Sequence, residues 1–131
     1  MQRCEVARFM PFTQDHLPEA LRDLMPLTPA VFFILFALAD GEKHGYAIMQ
    51  EATALSDNKV RMGPGTLYTT IQRLVELRLI EQTSTKSPID SRRVYYRLTR
   101  LGKALLQAEA ARLNALVRLA QKKGLALRNA Q

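Results

Sequence analysis

Between Thr99 and Gly124 the chain carries a helical pattern that no proline interrupts, and its length constrains the fold more than any other feature. At 1.5 Å per residue, its roughly 24 residues span about 36 Å. A chain of 131 residues suits one domain, with a core too small to cover such a helix. Leu101, Leu105 and Ala108 suit packing on the helix's own domain. Leu106, Ala110, Leu113, Val117 and Ala120 follow a 3–4 spacing that suits a second helix, from another subunit. Thr99 is placed to cap this helix, and the tail 125–131 is expected to fray.

The second feature is the stretch 63–80. Gly63-Pro64-Gly65 opens a helix, and Leu67, Ile71, Leu74 and Val75 share one face. The opposite face carries Thr69, Gln72, Arg73 and Glu76, with Tyr68 on its flank and Thr66 in the first turn. These side chains can hydrogen-bond base edges or phosphates. Gln72 can pair bidentately with adenine, and Arg73 with guanine or a phosphate. The opening glycines keep bulk low, so backbone can approach a ligand closely. A DNA-reading helix over 64–78 is the reading that uses all of these residues; an ordinary solvated face is the plain alternative.

The rest of the chain supplies a frame for that helix. Residues 1–14, with Cys4, Val6, Phe9, Met10, Pro11 and Phe12, show little periodicity and read as an arm. A short helix is expected over 15–25, with Pro18 in its first turn. Pro26 and Pro29 break it. Thr28 as N-cap and Pro29 at the first helical position then start a helix that is apolar nearly all round, which belongs in a core or between a core and a partner. Gly41 is its expected stop. A third helix is expected over 44–55, with Tyr46, Ile48, Met49 and Ala52 as apolar positions and His44 as a helix-start residue. The turn 56–62 has Val60 as a candidate for one short strand pairing. Residues 79–85 and 93–99 read as two strands, with Tyr95 and Tyr96 on opposite faces. The tip between them puts Lys86, Arg92 and Arg93 where they can meet phosphate or the minor groove.

Charge supports a polyanionic partner. Residues 1–58 hold four Lys/Arg against eight Asp/Glu, net −4, and residues 59–131 hold fifteen against four, net +11. The basic half begins where the candidate reading helix begins. Cys4 is the only cysteine, so no intrachain disulfide can form. The longest apolar run, 30–39, is about half of what a bilayer span needs, and no secretory signal opens the chain. A cytoplasmic protein without a membrane segment is expected. His16 and His44 have no cysteine or carboxylate cluster at ligand spacing, so no metal is expected. No nucleophile–base pair, phosphate loop or paired carboxylates appear. The chain therefore does not read as an enzyme and calls for no cofactor.

Four pieces of sequence resemble the PadR family of transcriptional regulators. They are His44-Gly45-Tyr46; Gly65-Thr66-Leu67-Tyr68; Leu74 with Leu79-Ile80; and Arg93 with Tyr95-Tyr96-Arg97-Leu98-Thr99 and Gly102. Together they cover residues 27 to about 105. The resemblance implies a mainly α fold with a small β-hairpin: a winged helix-turn-helix domain plus a long C-terminal dimerisation helix. Its parts would be an N-terminal extension (1–26), the winged helix-turn-helix domain (27–99) and the dimerisation helix and tail (100–131). It further implies a homodimeric repressor that binds palindromic operator DNA and is released by a small ligand. Two positions depart from the family. Thr69 stands where Pro is usual, and Arg78 stands where Gly usually ends the reading helix. If the left-handed cap is kept, Arg78 costs roughly 1 kcal/mol relative to Gly, which hints at a role for its charge at the phosphate backbone. DNA contacts are thus expected from Thr66, Tyr68, Thr69, Gln72, Arg73, Arg78, Lys86, Arg92 and Arg93. No aromatic residue follows Arg100, so a flat effector would have to stack on Phe32, Phe33 and Phe36, or on Phe9 and Phe12. A winged-helix module whose basic face meets an acidic protein, without sequence-specific DNA binding, is the alternative.

Overall fold

A computed structural model describes residues 17–125. The expected arm (1–14), His16 and nearly all of the expected fraying tail lie outside these residues. The elements are α1 (Glu19–Arg22), α2 (Pro29–Ala37), β1 (Lys43–His44), α3 (Gly45–Leu55), α4 (Pro64–Glu76), β2 (Ile80–Gln82), β3 (Tyr95–Leu98) and α5 (Arg100–Lys122). The fold is mostly helical with one small antiparallel sheet, in strand order β1-β3-β2. Ile80 faces Leu98 and Gln82 faces Tyr96 across the hairpin, while Lys43 faces Tyr96 and His44 faces Tyr95 on the other edge.

Local signals set most helix starts. The Thr28 hydroxyl accepts from Val31 N–H at 3.3 Å, with Pro29 in the first turn of α2. The Thr99 hydroxyl accepts from Gly102 N–H at 3.0 Å and starts α5. Ile34, Leu35, Ile48, Leu67, Ile71 and Leu105 are fully enclosed and join the helices into one core.

Several expectations need correction. α1 is only four residues long, and Pro18 is its N-cap, its carbonyl accepting from both Leu21 and Arg22 N–H. Leu17 and Leu21 are buried in the common core. The third strand comes from Lys43–His44, ahead of α3, and not from the turn around Val60. Two residues are too few to show any alternation. The hairpin strands are shorter than expected, because Arg93 N–H turns back to the Asp90 carbonyl and leaves the ladder. Tyr46 is exposed, not core. Leu106 is buried within the protomer's own core and so is absent from the free face of α5. Phe32, Phe33 and Phe36 form a ring cluster at the surface of α2, with centroids 5.2 to 6.5 Å apart and Phe36 well exposed.

The end of α4 keeps its left-handed cap. Arg78 has φ 63°, its N–H donates to Val75 O, and Leu79 N–H reaches back to Leu74 O. We expect Arg78→Gly to stabilise the protein by about 1 kcal/mol, read from chemical denaturation.

Glu109 is almost wholly buried on α5. It accepts from Arg112 Nε at 2.6 Å and from Leu27 N–H at 2.9 Å, which ties the chain ahead of α2 to the last helix. The Arg112 hydrogen bond, with help from Leu27, holds the carboxyl below its usual range against the opposing effect of burial. A folded pKa below the unfolded one means stabilisation that is full above the ordinary carboxylate range and lost as pH falls through the lowered value. Glu109→Gln is therefore expected to flatten the acid limb of a stability–pH profile. Glu109→Ala is expected to cost about 2 kcal/mol at neutral pH, because it strands Leu27 N–H and Arg112.

Candidate nucleic-acid interface

α4 buries Leu67, Ile71 and Leu74 and leaves its other face open. No side chain caps its start at Gly63, and a Cβ at Gly63 or Gly65 would touch nothing. The fold itself thus has no packing need for either glycine. Tyr68, Thr69, Gln72, Arg73 and Glu76 line one shallow groove along the exposed face. Arg73 has no ion-pair partner among the described residues.

A second hollow, of about 450 Å³, lies between α3, α4 and the wing. Its walls include His44, Tyr46, Tyr68, Asp90, Arg92 and Arg93. Tyr68 borders both hollows, so the α4 groove and the wing hollow meet at its ring. Its position is fixed by a close approach: a Cβ at Gly45 would run into the Tyr68 ring and hydroxyl. Any side chain at this position would push that ring away from the start of α3.

The wing is less bare than three cations suggest. The Ser87 hydroxyl accepts from Ile89 and Asp90 N–H, each at 3.2 Å, and shapes the turn. Asp90 accepts from Arg92 backbone N–H at 2.9 Å and from its Nε at 3.1 Å, and the Arg92 hydrogen bond holds the Asp90 carboxyl below its usual range. The pair is exposed, so a phosphate can compete for Arg92. Arg93 turns inward, its Nη1 at 3.0 Å from His44 Nε2. His44 also caps α3, its Nδ1 accepting from Ala47 N–H at 3.2 Å, and its ring meets the edge of Tyr95 at 5.4 Å. Burial and then the Arg93 charge push the imidazole below its ordinary pKa.

The expected contact residues therefore fall into groups. Tyr68, Thr69, Gln72 and Arg73 share the α4 groove, and Tyr68, Arg92 and Arg93 share the wing hollow. Thr66, Arg78 and Lys86 are exposed but line neither. On α5, Ala110, Leu113 and Val117 are exposed and Ala120 is half-buried. Sequence reasoning passed over His44 as a helix-start residue and Tyr46 as core, although both line the wing hollow. It also missed Asp90, which occupies Arg92. Leu116 and Leu119 are further exposed leucines on α5. Among the described residues, no group of His, Cys, Asp or Glu could hold a metal ion, and no helix is long and apolar enough to cross a membrane.

Comparison with known proteins identifies the family. Residues 34–108 match the model of the "Transcriptional regulator PadR-like family". A transcriptional regulator of Mycobacterium tuberculosis is 40% identical over 86 residues, covering 65% of this chain and 76% of that protein. A 37.1 kDa protein in transposon TN4556 of Streptomyces fradiae is 38% identical over 86 residues; the match covers 66% of this chain but spans only 23% of that protein. Among solved structures, a PadR-like transcriptional regulator from Bacillus cereus aligns with a TM-score of 0.62 at 19% identity, covering 84% of this chain and all of that one, and so shares the fold.

Replacing Gly45 with Ala tests the close approach. The obstruction is the far end of one side chain, so we expect a loss of stability under about 1 kcal/mol. If the α4 face meets DNA through Tyr68, displacing its ring weakens binding roughly tenfold, the scale of one lost contact, measured by fluorescence anisotropy.

Proposed function

Because the chain belongs to the PadR-like family of transcriptional regulators, and so to a DNA-binding class, we propose that it is a ligand-released repressor that grips palindromic operator DNA as a homodimer. The observation that carries the reading is the continuity of the α4 groove with the wing hollow through Tyr68. A helix of this width enters the major groove, where Gln72, Arg73 and Thr69 meet base edges. Arg92 and Arg93 on the wing, with Lys86 and Arg78 further out, meet the flanking phosphates.

The dimer reading is supported by Leu113, Leu116 and Val117, which stay exposed where α5 runs past the core. A leucine seam with this spacing buries itself against a second copy. Pairing there sets two reading helices about 34 Å apart, one turn of DNA. The Phe32, Phe33 and Phe36 cluster is the stacking surface open to a flat effector.

The test is a gel shift with the DNA flanking the protein's own gene, across a range of salt. Sequence-preferring, salt-sensitive binding by a dimer is expected. Arg73→Ala together with Tyr68→Ala is expected to abolish it with no change in dimer mass. Arg73→Ala alone should lower the log–log salt slope by roughly two per dimer if its contact is to phosphate, and relax sequence preference if its contact is to a base. Leu113→Glu is expected to give monomers. Indifference to all DNA, with saturable binding to an acidic protein, would favour the protein-interaction alternative instead.

A further inference from the structure

We propose that a DNA phosphate seats between His44 and Arg93, with His44 as a ligand and positioning residue, so that DNA binding is coupled to protonation of His44. This rests on the DNA-binding reading and extends it to a residue whose evident job is to cap α3.

The argument begins with a count of protons. Ala47 N–H points at Nδ1 from 3.2 Å, and Arg93 Nη1 lies 3.0 Å from Nε2. A neutral imidazole has one N–H and one acceptor nitrogen. If Nδ1 accepts from Ala47, the proton is on Nε2 and faces an Arg93 donor. If Nε2 accepts from Arg93, the proton is on Nδ1 and the α3 cap is lost. The ring can serve the cap or the guanidinium, but not both. A doubly protonated ring serves neither and adds a positive charge beside Arg93.

An anion with several acceptor oxygens resolves this conflict. A phosphate at the mouth of the hollow takes Nε2–H and the Arg93 guanidinium together, and leaves Nδ1 to cap α3. The site is built for one. Arg92 stands on the same wall, and the exposed hydroxyl-bearing rings of Tyr46 and Tyr68 flank it.

The groups facing His44 from each neighbouring element set the sign. Next to it on β1, Lys43 turns away to Asp40 and Glu51, at 2.5 and 3.4 Å. From the third strand and the residues before it come Tyr95 and Arg93, and across the hollow are Tyr46, Tyr68, Tyr96, Arg92 and Asp90. Asp90 is the one carboxylate lining the hollow, and Arg92 already holds it. Without DNA, Arg93 therefore dominates and opposes protonation. With DNA, the phosphate neutralises Arg93 and adds a negative charge beside Nε2, which raises the share of imidazolium at the expense of the Nδ1 cap that the neutral ring keeps. A group whose pKa is higher in the complex takes up protons on binding, so affinity must rise as pH falls.

The experiment uses the full chain with mixed-sequence duplex DNA at low salt, since phosphate contacts do not depend on sequence. His44→Asn is the companion variant: Asn is a strong N-cap, so α3 keeps its start, but it does not titrate. Lowering pH from 7.5 to 6 is expected to tighten wild-type binding about fivefold for each protomer, as an average uptake of half a proton across that interval requires. His44→Asn is expected to lose that gain, while His16 contributes equally to both proteins. NMR titration of the His44 ring should show its pKa rising in Arg93→Gln, and rising again in the wild type when DNA is added. Equal pH dependence in wild type and His44→Asn, or a His44 pKa that DNA leaves unmoved, would overturn the proposal while leaving the DNA-binding reading intact. No DNA binding at any pH would defeat that reading and this one with it.

Discussion

The carbonyl oxygen of Leu79 holds the architecture together. It accepts from Thr99 N–H and from the Thr99 hydroxyl, each at 3.1 Å, while the same hydroxyl lies 2.6 Å from the Arg78 carbonyl. Gly102 packs against that carbonyl so closely that any Cβ would collide with it. Three elements are fixed at this one point. α4 ends at the left-handed Arg78, the hairpin leaves at Ile80, and the last helix begins at Arg100. The angle between the reading helix and the helix that projects past the core is therefore set by backbone hydrogen bonds, which tolerate little movement. In the proposed two-fold assembly this rigidity would matter, because an error at the junction is multiplied along the length of α5.

A similar logic explains the motif residues. His44-Gly45-Tyr46 and Tyr68 lie far apart in sequence, yet they form one contact. Gly45 clears the space, Tyr68 fills it, and His44 caps the helix that carries both Gly45 and Tyr46. These residues thus pack against one another beneath the candidate surface and also line the wing hollow. Thr69, Gln72 and Arg73 are exposed on α4 and carry no packing role in the frame.

Legibility in the sequence followed the range of the interaction. The caps at Thr28 and Thr99 act over three residues and were readable directly, as were the apolar face of α4 and the excess length of α5. The αL cap at Arg78 was anticipated only because the family places Gly there, since arginine itself advertises no turn. Features that depend on distant partners were hidden. A two-residue strand at Lys43 has no pattern, and it exists because β3 offers an edge. Glu109 reads as an ordinary polar residue of a long helix, and its burial is visible only once Leu27 N–H arrives from 82 residues away. Leu106 fits the dimer spacing, but the core wraps further around α5 than periodicity alone could tell, burying Leu105, Leu106, Ala108 and Glu109 together. The pairings of Arg92 and Arg93 likewise needed the folded wing.

Those pairings change how the basic half should be understood. The reading groove is not uniformly cationic, for Glu76 stands at its end beside Arg73. A carboxylate there repels phosphate but can accept from the amino group of cytosine, so the groove suits base edges. On the wing, Arg92 is paired with Asp90, while Arg93 lies against a His44 ring that cannot accept from it and cap α3 at once. Held side chains lose less conformational freedom on binding than free ones, and a phosphate has only to outcompete an exposed carboxylate and a neutral ring. Arg78 and Lys86 carry no such partner among the described residues. The charge of +11 over residues 59–131 therefore divides by physical role. Arg92 and Arg93 form an ordered pair that can fix register on the duplex. Arg78 and Lys86 are exposed and stand outside both hollows, fit mainly to add salt-dependent attraction.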